Sequence, residues 1–241
     1  MKNLVILTGA GISAESGIAT FRDANGLWEN HRIEDVASPR AFAKNPETVH
    51  RFYNLRRAQL KTVHPNAAHH ALAKLEQDWA GQGSFLLITQ NVDDLHDRAG
   101  SKKLLHMHGE IRKLLCAACG HTAWHADDLS PADICPACQE PGHLRPDIVW
   151  FGEIPYHMDV IQDALDQADI FAAIGTSGIV YPAAGFAEHA SHNGRRCHTV
   201  ELNLAPTGGP FTESIPGPAA TTVPAWAANL LSRDPNPKDK S

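Results

Sequence analysis

Five short apolar runs, each closing on a polar or glycine-bearing cluster, set the pattern of this chain. Leu4 to Leu7 ends in Thr8-Gly9, Phe85 to Ile88 in Thr89-Gln90-Asn91, and Ile170 to Ile174 in Gly175-Thr176-Ser177. Leu104-Leu105 leads into His106-Met107-His108-Gly109, and Thr199 to Leu202 ends in Asn203. Continuous apolar runs between helical stretches predict parallel strands covered on both faces, because a strand with one wet face alternates instead. Ligands bind such sheets beyond the carboxyl ends of the strands, where all these clusters fall. The pattern predicts an α/β fold: a Rossmann-like parallel sheet domain whose strand ends converge on one crevice.

Two segments break the alternation and predict a smaller, discontinuous domain. Residues 31–78 read as a helical insertion, with Asn45 as N-cap and Pro46 at the first helical position. Residues 112–146 hold cysteines, prolines and turn residues, the composition of a metal-stapled module. The expected division is 1–30, 79–111 and 147–231 for the sheet domain, with 31–78 and 112–146 as the small one. The polar tail 232–241 is expected to be disordered.

Gly9-Ala10-Gly11-Ile12-Ser13-Ala14 follows the first strand as a Gly-x-Gly-x-x-Ala loop. Such a match also fits an ordinary strand-to-helix turn, but here Ser13, Ser16, Thr20 and the pair Phe21-Arg22 surround it. Glycines allow close approach to a pyrophosphate, and the amides opening a following helix would supply donors and a positive dipole. A nicotinamide dehydrogenase then needs a second strand ending in Asp or Glu about twenty residues on. Asn25 to Asn30 stands there instead with no strand before it, so the loop predicts the usual dinucleotide put to an unusual use.

With 43% hydrophobic and 20% charged residues the chain has a globular composition, and a net charge of -6 argues against a dedicated nucleic-acid partner. No apolar run is long enough to cross a bilayer, and Met1-Lys2-Asn3 leaves no room for a signal peptide before the first strand. A cytoplasmic protein is expected. Cys116-x2-Cys119 and Cys135-x2-Cys138 are spaced as a four-cysteine zinc site, and four thiolates leave no open position, which makes the metal structural.

Among fifteen histidines His108 stands out, because it follows a strand and falls in the predicted crevice beside Gln90, Asn91 and Asp93. An amide and a carboxylate there can hold a ribose and a carboxamide, and a neutral imidazole can take a proton from a sugar hydroxyl. On the helix starting near Pro46, Val49, Phe52, Tyr53, Arg56 and Leu60 share one face. Arg56 at the centre of that stripe either snorkels outward or needs an anionic partner, an internal carboxylate or one brought by a ligand. Tyr53 can reach the same spot.

Taken together, Gly9 to Arg22, Thr89-Gln90-Asn91-Val92-Asp93, His108-Gly109, the cysteine pairs and Gly175-Thr176-Ser177 resemble the sirtuin family, in family order and over most of the chain. The resemblance implies NAD-dependent removal of acyl groups from protein lysine, with NAD consumed as co-substrate. It implies that the acyl oxygen attacks the ribose anomeric carbon as nicotinamide leaves, with His108 as general base and Asn91 and Asp93 assisting. Water then resolves the intermediate, and free lysine, nicotinamide and an O-acyl-ADP-ribose result. The implied NAD contacts are Gly9, Ala10, Gly11, Ser13, Glu15, Thr20, Phe21, Arg22 and Trp28, then Gln90, Asn91, Val92 and Asp93. Gly175, Thr176, Ser177, Glu201, Leu202, Asn203 and Ala219 complete them on the phosphate and adenosine side. Val149-Trp150-Phe151-Gly152-Glu153 resembles the segment that pairs with an extended substrate peptide by strand addition, with Val149, Phe151 and Gly152 as the substrate contacts. Tyr53-x-x-Arg56, with the small Ala24, resembles the desuccinylase and demalonylase branch, in which the pair would hold the free carboxylate of the acyl group. The same residues would also serve ADP-ribose transfer to a protein or to water. A non-catalytic zinc-ribbon binding module is the third reading, although Cys116 to Cys138 contains no Lys or Arg for nucleic acid.

Overall fold

The computed structural model describes residues 1–19, 27–28, 31–192, 194 and 196–232. The strands are β1 (Leu4–Thr8), β2 (Leu27–Trp28), β3 (His31–Arg32), β4 (Phe85–Thr89), β5 (Leu104–His106), β6 (Gly109–Cys116), β7 (Thr122–Trp124), β8 (Leu144–Ile148), β9 (Ile170–Ile174), β10 (His198–Asn203) and β11 (Glu213–Pro216). The helices are α1 (Ile33–Val36), α2 (Pro39–Lys44), α3 (Pro46–Gln59), α4 (Ala67–Asp78), α5 (Leu95–Ala99), α6 (Met158–Asp166), α7 (Phe186–Ser191) and α8 (Ala219–Ser232). Of the expected tail, residues 233–241 lie outside the described residues.

All five apolar runs form strands of one parallel sheet, of order β11-β10-β9-β1-β4-β5. The sixth strand, β11, was not expected, because Glu213-Ser214-Ile215-Pro216 has no apolar run and lies half-covered at the sheet edge. β1 is central, with Leu4 opposite Phe85 on one side and Ile170 on the other. The chain builds the sheet first on one side of β1 and then on the other, so a crevice opens above its carboxyl end.

Both faces of the sheet are covered, which accounts for runs without alternation. Leu4 and Ile6 face a core shared with Leu72 and Leu75 of α4 and Val223 and Trp226 of α8. Val5 and Leu7 face the other way, onto Ile161 and Leu165 of α6 and Phe186 of α7. Helix α4, placed in the helical insertion by the sequence boundaries, therefore packs with the sheet. Its stripe Ala68, Leu72 and Leu75 finds Leu4 and Ile6 rather than the preceding helices.

α3 starts as expected: the Asn45 side chain accepts the Thr48 amide at 3.1 Å and Pro46 takes the first turn. Its apolar side, with Val36 of α1, packs on Ile111, Ile148 and Trp150. β6, β7 and β8 form a separate antiparallel sheet in which Leu114, Leu129 and Leu144 cluster with Cys116 and Cys135. β6 begins beside His108 and runs to the first cysteine, so one strand links the crevice to the cysteine module.

Among the described residues no α-helix follows the first glycine loop. Two single 3₁₀ turns, Ala10–Ile12 and Ala14–Ser16, take its place. The reason is the contact of this loop with Gly175: a Cβ on Gly11 would fall 2.7 Å from Gly175 Cα, and one on Gly175 would fall 2.5 Å from the Ile12 nitrogen. Gly175 also has φ +61°, a region that disfavours other residues. Gly175→Ala is therefore expected to destabilise the fold by about 1–3 kcal/mol through strain and overpacking. A denaturation midpoint equal to that of the unaltered protein would show that the two loops separate without cost.

Candidate active site

A cavity of about 630 Å³ opens at the switch point above β1, within the usual range of about 300–1,000 Å³ for small-molecule sites. Gly9, Ala10, Gly11 and Glu15 line it from the first loop, and Gln90, Asn91, Val92 and Asp93 from the end of β4. His108 comes from the end of β5, Gly175, Thr176 and Ser177 follow β9, and Leu202 and Asn203 end β10. Ala219 joins them where α8 begins, while Tyr53 and Arg56 of α3 and Val149, Phe151 and Gly152 after β8 close the opposite side.

Two described residues expected at the cofactor stand behind this wall instead. Ser13 is fully buried; its hydroxyl donates to the Asp93 carboxylate at 3.0 Å and accepts the Asn91 amide at 3.1 Å. Glu201 accepts the Thr207 amide and the Ser214 hydroxyl, and so ties the loop after β10 back to β11. Thr20, Phe21, Arg22 and Ala24, with the Trp28 side chain, lie outside the described residues. Sequence reasoning missed Gln59, Tyr181 and Gly217-Pro218, all of which line the cavity, as do Trp150 and Glu153 of the expected substrate segment. Gln59 had a signal, being next to Leu60 of the apolar helix face.

The first loop is less open to a ligand than its glycines suggest. Gly9 donates its amide to Ile174 O, Gly11 to Gly175 O, Ile12 to Gly9 O and Ser13 to Ala10 O. The glycines serve loop-to-loop contact, and the expected row of donors at a helix start does not form. Glu15 likewise meets protein: its carboxylate accepts the Ala220 amide at 2.7 Å, in the first turn of α8.

His108 Nδ1 lies 3.0 Å from the carbonyl of Gln90, which can only accept, so Nδ1 carries the proton and Nε2 keeps its lone pair. Burial lowers the pKa of His108 against the opposing effect of that bond, and the ring is neutral at neutral pH. Asp93 is pushed up to about 6 by burial, although the Leu95 amide and the Ser13 hydroxyl both stabilise its charged form. Asn91 donates to Gly9 O at 3.2 Å as well as to Ser13, joining the β1 and β4 loops beneath the cavity.

At the other end Tyr53 is fully buried, and its Oη accepts the indole N–H of Trp150 at 2.9 Å. Arg56 is 8% exposed; its guanidinium lies over the Phe52 ring and donates to Phe52 O at 2.7 Å. It faces the cavity without snorkelling out. The segment after β8 is already tied down. Val149 donates its amide to His108 O, Phe151 to Ala37 O, and Trp150 to the Glu153 carboxylate. An added peptide strand would have to meet this segment through its carbonyls or through Gly152.

Cys116, Cys119, Cys135 and Cys138 place their sulfurs within 4.8 Å of one another, with no disulfide among them. Cys116 and Cys138 Sγ are 3.7 Å apart, and Cys119 and Cys135 Sγ 3.8 Å. A tetrahedron with Zn–S bonds of about 2.3 Å has edges of about 3.8 Å, so the donor set fits zinc. The backbone amides of Cys138 and Ala137 are directed at the Cys135 sulfur and stabilise its thiolate. Chelation or Cys116→Ser is expected to release one zinc per chain and unfold residues 112–146. A zinc-free protein with the module's amides still protected from exchange would overturn the assignment.

Residues 9–182 match the Sir2 family. An NAD-dependent protein deacylase of Bdellovibrio bacteriovorus is 57% identical over 235 residues, covering 95% of this chain and 97% of the relative. One of Escherichia coli K12 is 56% identical over 232 residues, covering 95% and 82%. A crystal structure described as a Sir2 homolog–NAD complex superposes with a TM-score of 0.83 at 38% identity, covering 95% of this chain and 90% of that one. The chain belongs to the Sir2 family, the sirtuins.

Proposed function

We propose that the chain removes acyl groups from protein lysine side chains with NAD as co-substrate and one water consumed, giving nicotinamide, free lysine and an O-acyl-ADP-ribose. The observation that carries the reading is one cavity with a neutral, oriented imidazole at one end and a buried Tyr53–Arg56 pair at the other. NAD supplies a ribose whose bond to nicotinamide is ready to break. Membership of the Sir2 family and the NAD-dependent protein deacylase activity of the relatives support the assignment.

In this reading His108 Nε2 takes a proton from a ribose hydroxyl. Asn91 and Asp93 orient the nicotinamide and ribose, held in place from behind by Ser13 rather than by direct contact of Ser13 with the ligand. Gly175, Thr176 and Ser177 face the phosphates, and Leu202, Asn203 and Ala219 the adenosine side. Thr20, Phe21, Arg22 and Trp28 belong to the same proposal. Val149, Phe151 and Gly152 receive the substrate chain, and the sheet domain binds NAD while the small domain carries the acyl end. Reduced cysteines and an NAD co-substrate fit a reducing, NAD-holding compartment, and a cytoplasmic location is part of the proposal. No described helix is long and apolar enough to cross a membrane.

The acyl group proposed is one with a free carboxylate, succinyl or malonyl, alongside acetyl. Arg–carboxylate pairing is bidentate and selective, and Tyr53 adds a second donor. Ala24 would leave room for the longer chain. Arg56→Met is expected to lower the ratio of kcat/KM for succinyl-lysine over acetyl-lysine peptides by one to several orders of magnitude, as about 2–5 kcal/mol of charge pairing is lost. An unchanged ratio would remove the carboxylate role.

The lowered pKa of His108 gives a sign to the pH dependence. The base is active when neutral, so kcat/KM holds as pH falls to the ordinary imidazole value of about 6.5 and declines only below it. His108→Ala is expected to cost about 10²–10⁴ in kcat. An acid limb centred above pH 7 would contradict a buried, neutral base. Mass spectrometry of acylated peptides tests the whole reading: turnover without NAD, or labelled ADP-ribose on protein with no deacylated peptide, would reject it.

A further inference from the structure

Behind Tyr53 stands a buried arrangement that the reaction does not itself require. The Trp150 indole is 2% exposed and donates to Tyr53 Oη at 2.9 Å. Arg145, 5% exposed, lies under the indole with its guanidinium carbon 3.9 Å from the ring centroid. That guanidinium is fixed in turn by two bonds of 2.8 Å to the Glu153 carboxylate and one of 3.1 Å to Ile148 O. Glu153 closes the turn by accepting the Trp150 amide.

An indole N–H can only donate, so it can never take the phenolic proton of Tyr53. A carboxylate can only accept, so it can meet Oη only through that same proton. The indole therefore fixes the tyrosine ring while occupying just the acceptor side of its hydroxyl. A hydrogen bond accepted by a hydroxyl also strengthens the one it donates. Glu153 lines the cavity and would repel an anionic ligand, but its two oxygens are paired with Arg145. The Arg145–Glu153 pair thus supports the indole and quenches a carboxylate beside the acyl site.

We propose that Trp150, seated on the Arg145–Glu153 pair, is a specificity-determining positioning residue that holds Tyr53 as a hydrogen-bond donor for carboxylated acyl groups. This rests on the reading of Tyr53 and Arg56 as the carboxylate clamp. It adds that discrimination between succinyl and acetyl depends on a residue acting through Tyr53.

Trp150→Phe keeps an aromatic ring over Arg145 and removes the N–H. Steady-state kinetics on matched succinyl- and acetyl-lysine peptides, in the full-length zinc-loaded protein, should show the succinyl-to-acetyl kcat/KM ratio falling about tenfold, as expected for one lost hydrogen bond in a buried pair. The loss should sit in KM for the succinyl peptide. In a Tyr53→Phe background the same substitution should leave the ratio unchanged, because the partner it acts through is gone. A general packing role would instead lower both substrates together, or lower the ratio equally in both backgrounds, and either result overturns the proposal. Arg56→Met run in parallel separates the two failures. If it collapses the ratio while Trp150→Phe does not, only the positioning role falls; if it leaves the ratio unchanged, the clamp and the positioning role fall together. Should Trp150→Phe fail to fold, β-(3-benzothienyl)alanine at position 150, which keeps the bicyclic ring over Arg145 and lacks the N–H, gives the same cycle with Tyr53→Phe, with the same outcomes.

Discussion

The backbone contact between Gly11 and Gly175 is the constraint on which the site depends. It presses the loop after β1 flat against the end of β9, at a distance no side chain on either glycine would allow. Ile12 is thereby driven into the sheet core and Ser13 beneath the cavity floor. Asn66, while capping α4, donates to Ile12 O at 2.8 Å, and Glu15 receives the first turn of α8. One short loop thus registers β9, β4, α4 and α8 against each other. The cost is the row of open amides that a helix at this point would have offered.

The sheet was legible because burial on both faces leaves an unambiguous trace: five apolar runs, five strands. β11 was not, since an edge strand is held by its ladder with β10 and needs no apolar run. Helix α4 was assigned to the wrong neighbours because periodicity identifies a buried face without saying what buries it. At the site, His108, Asn91 and the glycines could be placed from strand ends, and the stripe Tyr53–Arg56–Leu60 from helical spacing. Ser13 and Glu201 show the limit of that approach. Both are polar residues at strand-end loops, and only the coordinates reveal that they bond to protein behind the wall. Trp150 fell within the expected substrate segment and Arg145 carries no motif, so their contact with each other had no sequence signal.

The polar groups under the floor form one connected set in place of isolated buried hydroxyls. Ser13 serves Asp93 and Asn91 at once, Asn91 reaches Gly9 O, and Asp93 accepts the Leu95 amide. A half-satisfied network in a dry site would be worse than an apolar one, and this sharing keeps each group supplied from a single serine. It also explains how Asp93 remains close to its charged state although burial moves it to about 6.

The two ends of the cavity are charged by opposite means. Near His108, burial removes charge: the imidazole is neutral, with a single accepting carbonyl to fix its tautomer. Near Tyr53, charge is kept: among the described residues Arg56 and Arg145 lie beside the Glu153 carboxylate, with which Arg145 is paired. Arg56 lines the cavity. On the proposed reading a ligand carboxylate makes a contact with Arg56 that a ligand ending in a methyl group cannot make. Sites built to pair a polar group reject ligands lacking it far more strongly than apolar pockets reject a missing methylene. On that reading the acyl end discriminates by charge more than by size, while the base end, with its Asp93 carboxylate and neutral His108, stays the same whichever acyl group arrives.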